Sequence, residues 1–150
     1  MANSIQEIAA VSNLPLIEQN PILSPSYDRI TKQKVQSADG HYFLKTASLN
    51  DLPLLIAEKI GLEALTVAGD VKVPKVFFAG ETATCSFLVC EYFDFKKDNV
   101  FSGEILGKQL ALLHQNSNDS FGLGEDNWIG LSPQKNHWNK NWISFFKEKR

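Results

Sequence analysis

The sequence predicts an α+β protein: an antiparallel sheet built from hairpins with one long helix against it, followed by a mainly helical segment. Three observations lead there. Asp39-Gly40 stands between two runs of strand composition, Ile30 to Gln36 and His41 to Ala47, which is a hairpin signal. Leu55, Glu58, Leu62 and Leu65 then fall at i, i+3, i+7 and i+10, the spacing of one helix face. After Glu91 the short strand-like runs stop, and apolar residues recur at helix spacing instead.

Each element has its own local reason. Ser4-Ile5-Gln6-Glu7 is a capping-box pattern followed by Ile8 and Ala9, so a short helix opens the chain. Leu14 to Pro25 holds three prolines and is expected to be extended or irregular. The hairpin follows, turning through Ser37-Ala38-Asp39-Gly40. Asn50 or Asp51 is expected to cap the long helix, with Pro53 in its first turn and Gly69 at its end. Val73-Pro74 starts a strand through Val76-Phe77-Phe78, Glu81 to Thr84 turns the chain, and Ser86 to Cys90 returns it. Phe93 to Asn99 is a charged connector. Ser102 to Gln115 is helical through Ile105, Leu106, Leu110 and Leu113. Phe121 to Asn139, rich in Gly, Asn and aromatics without a period, is expected to be an ordered loop. Trp138, Trp142, Phe145 and Phe146 form the apolar face of a last helix.

At 150 residues, with 43% hydrophobic and 21% charged residues, the chain has the makeup of an ordinary globular protein. A net charge of -2 gives no electrostatic footprint for nucleic acid or an anionic membrane, so neither is an expected partner. Nothing approaches the roughly 20 consecutive apolar residues of a membrane span. Met1 to Ile5 has no basic n-region. A cytoplasmic location is expected. Cys85 and Cys90 are five apart, an odd separation that puts them on opposite faces of a regular strand. Two reduced thiols are expected rather than a disulfide or metal site.

Two charges stand where charge is costly. Lys45 ends the strand His41-Tyr42-Phe43-Leu44-Lys45, and Glu58 lies on the apolar helix stripe. A carboxylate there needs a cation, and the strand lysine is the obvious candidate. A strand lysine joined to a helix glutamate resembles the pair with which kinase-like folds hold the phosphates of ATP. A structural salt bridge is the plainer alternative.

A more specific resemblance lies in the tail. Phe121-Gly122-Leu123-Gly124-Glu125-Asp126-Asn127-Trp128-Ile129-Gly130 is followed by Pro133-Gln134-Lys135-Asn136-His137-Trp138 and Asn141-Trp142-Ile143-Ser144-Phe145-Phe146. This block resembles the fructosamine kinase (ketosamine-3-kinase) family, as do Tyr42-Phe43-Leu44-Lys45, Ala57-Glu58, Val71-Lys72-Val73-Pro74 and Leu110-Ala111 with Leu113-His114. The resemblance implies a protein-kinase-like N-lobe over residues 1–92, then a hinge and the first helices of an α-helical C-lobe over 93–150. It implies ATP and Mg²⁺ as cofactors and a ketoamine sugar as substrate. Lys45 would bind the α- and β-phosphates and Glu58 would orient it. Cys90 would back the pocket, the Glu91 carbonyl and Phe93 amide would read adenine, and Tyr92 would sit between them in the hinge.

The phosphate loop departs from the family pattern. Ser24-Pro25-Ser26-Tyr27-Asp28-Arg29-Ile30-Thr31 has no glycine where the family has a Ser-Gly-Gly turn, and proline removes one N–H donor. Side chains of Ser24, Ser26 and Arg29 are the available substitutes, and nucleotide affinity is expected to be lower than usual. His114 reads as a packing residue rather than an acid or base. Trp128, Trp138 and Trp142 read as core rather than as a sugar-stacking platform.

The family's His-Gly-Asp segment, which supplies base and metal ligands, has no counterpart: the chain contains no His-x-Asp. No catalytic residue or metal ligand is therefore assigned here. The apolar face of the last helix has nothing after it in the sequence to cover it. The expectation is a kinase lobe cut short before its catalytic segment, inactive alone and able to self-associate through that helix. Two alternatives stay open: a degenerate lobe acting as an interaction module, and an aminoglycoside- or choline-type phosphotransferase.

Overall fold

The computed structural model describes residues 4–21, 29–68, 71–97, 101–130 and 132–150. The described residues form two compact units, one within Met1–Glu63 and Val73–Lys97, the other within Ala64–Lys72 and Asp98–Arg150.

The first unit opens with helix α1 (Ser4–Ser12), as its capping-box sequence predicts. Asn13, at φ +55°, ends it in the left-handed conformation that asparagine tolerates better than most residues. Strand β1 (Leu16–Pro21) follows where three prolines suggest irregular chain. The strand survives because it lies at the sheet edge and its only proline, Pro21, is its last residue. Strands β2 (Thr31–Ser37) and β3 (Gly40–Ala47) make the predicted hairpin. Its turn is centred on Ala38-Asp39, one residue earlier than an Asp-Gly turn. The Ser37 hydroxyl accepts from the Asp39 amide at 3.1 Å, and Gly40 takes the positive φ of +133°.

A short 3₁₀ turn, Leu49–Asp51, leads into α2 (Leu52–Ala68). Asp51 is buried; its carboxylate accepts from the Ser48 hydroxyl at 2.7 Å and pairs with Arg29. Strand β4 (Val76–Glu81) and strand β5 (Ser86–Glu91) complete a five-stranded antiparallel sheet of order β1-β2-β3-β5-β4. β4 begins two residues beyond Pro74, which has no amide proton to give a ladder.

β5 is an interior strand, between β3 and β4, and every residue from Ser86 to Cys90 is buried. Alternate side chains serve opposite faces. Phe87 and Val89 join Val35, Tyr42 and Leu44 beneath Ile5 and Ile8 of α1. Leu88 and Cys90 join Ala47 and Leu55 of α2 on the other face.

The second unit holds α3 (Ser102–Leu113), a two-stranded ribbon of β6 (Asn127–Ile129) and β7 (Ser132–Gln134), and α4 (Trp142–Lys149). The ribbon lies inside the segment expected to be loop; three-residue strands are too short to show a period. Trp138 precedes α4 rather than sharing its face. Asn141 caps that helix by accepting from the Ser144 amide at 3.0 Å. The core expected of the tryptophans is not formed within this unit: Trp128, Trp138 and Trp142 are 37%, 48% and 51% exposed. His114 is exposed too, not packed. What organises the tail is Asn136, fully buried, whose amide donates to the Glu125 carbonyl and to Asn127 Oδ1. Arg150 donates to Asn136 Oδ1 at 2.8 Å and lies over the Phe145 ring. No helix among the described residues is long and apolar enough to cross a membrane.

Candidate functional site

Lys45 leaves β3 on the α2 face of the sheet, because its neighbours Leu44 and Thr46 point the other way. Glu58 sits one turn beyond Leu55, the residue that anchors α2 in the core. The two meet: Lys45 Nζ donates to Glu58 Oε1 at 2.5 Å. The pair is only partly dry, with side chains 18% and 30% exposed. The expected juxtaposition is therefore present, on two different elements and at the edge of a cleft.

The cleft encloses about 450 Å³. Lys45, Glu58 and Glu91 are its charged walls; Phe43, Leu62, Pro74, Cys90 and Phe93 supply much of the apolar surface. Tyr92 and Phe95 line it as well, and Phe93 and Phe95 meet edge to face at 6.3 Å. A flat heteroaromatic ring suits such walls, and a cation at one end suits an anionic tail.

Cys90 faces the cleft from β5, and its partner across the ladder is Phe43. Burial pushes its thiol from the ordinary 9.0 up to about 11; the Glu58 carboxylate adds to the rise, and Lys45 opposes it. The thiol is thus neutral, a small packing group rather than a nucleophile. Both cysteines are free.

Beyond Glu91 the chain leaves the sheet. The Glu91 amide donates to the Lys75 carbonyl at 2.8 Å, and Glu91 Oε2 accepts from the Lys75 amide at 3.3 Å. Two bonds thus fix the point where β5 ends beside the Pro74 wall. Lys45, Glu58, Cys90, Glu91, Tyr92 and Phe93 all line the one cleft. Ser24 and Ser26, the side chains expected to replace a glycine loop, lie outside the described residues. Sequence reasoning missed Phe43, Leu62, Pro74 and Phe95 as walls. Phe43 was accessible to it, since it shares the sheet face of Lys45.

Two kinds of comparison bear on this geometry. A family model described as fructosamine kinase matches residues 8–150. The chain belongs to the fructosamine kinase family. A "Probable ketoamine kinase" of Klebsiella aerogenes is 40% identical over 110 residues, covering 73% of this chain and 38% of that protein. The chloroplastic protein-ribulosamine 3-kinase of Arabidopsis thaliana is 36% identical over 118 residues, covering 77% of this chain and 36% of its own length. A solved structure from Haemophilus somnus 129PT, assigned as a fructosamine-3-kinase, superposes with a TM-score of 0.84 at 26% identity. That match covers 97% of this chain and 50% of the other. The fold is accordingly the α+β, protein-kinase-like fold of the fructosamine kinases. The matched segment spans less than half the length of these curated relatives.

Proposed function

We propose that this chain carries the nucleotide-binding lobe of a ketoamine kinase. The reaction is transfer of the γ-phosphoryl group of ATP to a sugar hydroxyl of a ketoamine, on a glycated amine or protein. Residues 1–92 form the nucleotide lobe, residues 93–150 open the second lobe, and the protein works in the cytoplasm. The observation that carries the reading is the Lys45–Glu58 ion pair at the edge of a cleft walled by Cys90 to Phe93.

The residues divide the work by chemistry. Lys45 meets the α- and β-phosphates as a point charge, and Glu58 fixes its ammonium in place. Adenine lies between Phe43, Pro74 and Phe93, read by the backbone of Glu91 and Phe93, with Cys90 at its back. ATP supplies the group transferred, and these residues bind and align it. Among the described residues no cluster of three His, Cys, Asp or Glu side chains is placed to hold a metal ion. No step through Mg²⁺ is derived from them, and base and metal ligands are assigned to the His-Gly-Asp segment of the family pattern.

Calorimetric titration with ATP tests this reading. Binding is expected in the micromolar to millimolar range and lost in Lys45→Ala. Absence of binding at millimolar ATP, or binding unaffected by that substitution, overturns it.

A second reading has its own support. In α4, Trp142, Ile143 and Phe146 are 51%, 75% and 56% exposed, as an interaction module or a self-associating chain requires. Sedimentation velocity separates the cases, since concentration-dependent dimerisation abolished by Trp142→Ser with Phe146→Ser favours the module.

A further inference from the structure

Phe95 stands in a run that gives it no core to join. Asp94, Lys96 and Lys97 around it are exposed, and residues 92–97 have no regular secondary structure. Phe95 itself is 89% exposed, more than any other large hydrophobic residue among the described residues. A ring so placed contributes almost nothing to folding, because its apolar surface stays in water. A single wet apolar side chain needs no explanation where it meets only solvent. This one has a further place.

Phe95 lines the same cleft as Lys45, Glu58 and Cys90. It comes two residues after Phe93, in the stretch assigned to the base rather than on the strand that carries Lys45. The planes of the Phe93 and Phe95 rings are 85° apart, with centres 6.3 Å apart. Edge-to-face contact of this kind leaves each ring at least one face that the other does not cover. A purine presents a flat π surface to such a face, and stacking of a base on an aromatic side chain needs no hydrogen-bond match. A polyphosphate presents no such surface. The chemistry of the ring therefore selects the base end of a nucleotide.

We propose that Phe95 is a base-stacking residue of the cleft: its ring lies on the planar base of the nucleotide and shields it from water. This rests on the nucleotide reading of the cleft and deepens it, by giving the base a residue that the fold itself does not use.

Calorimetric titration of the 150-residue chain with ATP and adenosine tests the assignment. A fluorescent aminopurine ribonucleoside triphosphate, whose emission falls when its ring is stacked, gives a second readout. Phe95→Ala is expected to weaken ATP and adenosine binding by the same factor, about tenfold, with the melting temperature of the free chain kept. Phe95→Trp is expected to hold the affinity, and Phe95→Leu, apolar but not flat, to recover only part of it. At saturation the aminopurine nucleotide is expected to be brighter on Phe95→Ala than on the wild type. Wild-type affinity in Phe95→Ala, or a loss confined to ATP, overturns the role of Phe95 while leaving the cleft a nucleotide site. A melting temperature that falls along with the affinity also overturns it, because the ring then belongs to the fold. Failure of the wild-type chain to bind either ligand overturns both readings together.

Discussion

Lys45 and Glu58 are mostly shielded from water, and that sets what removal of one of them costs. Lys45→Ala leaves Glu58 without its cation in a partly dry site, so it is expected to lower stability by about 1 to 2 kcal/mol. Denaturant melts alongside nucleotide titration separate that small structural cost from loss of a ligand contact. Cys90 behaves differently, because its environment favours the neutral thiol. Below its ordinary value of 9.0 both folded and unfolded chains keep the proton. Between 9.0 and about 11 the unfolded chain releases it and the folded chain does not, so stability falls as pH rises. The total loss expected is about 2 to 3 kcal/mol. Urea melts at about pH 8 and pH 10.5 check the slope, which Cys90→Ala should flatten. The Lys45–Glu58 pairing was legible in the sequence, because a carboxylate on an apolar stripe demands a partner. The contact of Lys34 Nζ with the Tyr92 ring was not, since no strand pattern says which ring a flexible stem will reach.

The elements differ in how far local signals determine them. The hairpin of β2 and β3, helix α2 and strand β5 follow from turn chemistry and period, and they build the cleft. β1 was hidden by proline content, because an edge strand needs only half of its backbone groups paired. The faces were harder to read than the elements. Ile8 of α1 is fully buried on the side of the sheet opposite the cleft. Ile8→Ala is therefore expected to cost about 3 kcal/mol in thermal or urea unfolding, without changing any residue that lines the cleft. In the tail the determining element is a turn, not a helix. Gly122 has φ +130°, and a Cβ there would stand 2.4 Å from the Asn136 carbonyl oxygen. Gly122→Ala is expected to destabilise this unit by about 2 kcal/mol or more. All three tryptophans lie at or beyond Trp128, so their fluorescence should report that loss directly.

At the scale of the molecule, the two units contrast in what they keep from water. The sheet unit has a core on both faces of β5. α3 has no buried residue, and Ile105, Leu106, Leu110 and Leu112 on it are each 43% or more exposed. Its helical period was legible in the sequence, but the burial usually inferred from such a period was not realised among the described residues. Periodicity reports which face is apolar; it does not report what covers it. Dye binding to exposed apolar surface is expected to fall when Leu106 and Leu110 are replaced by glutamine, with helix content by circular dichroism unchanged. The strand order has a consequence for how the protein is made. β5 inserts between β3 and β4, so an interior strand is the last of the five to leave the ribosome. Until then the β2–β3 hairpin presents an open edge with nothing beside it. Slow translation before Ser86 should prolong that exposed state and favour aggregation of the nascent chain.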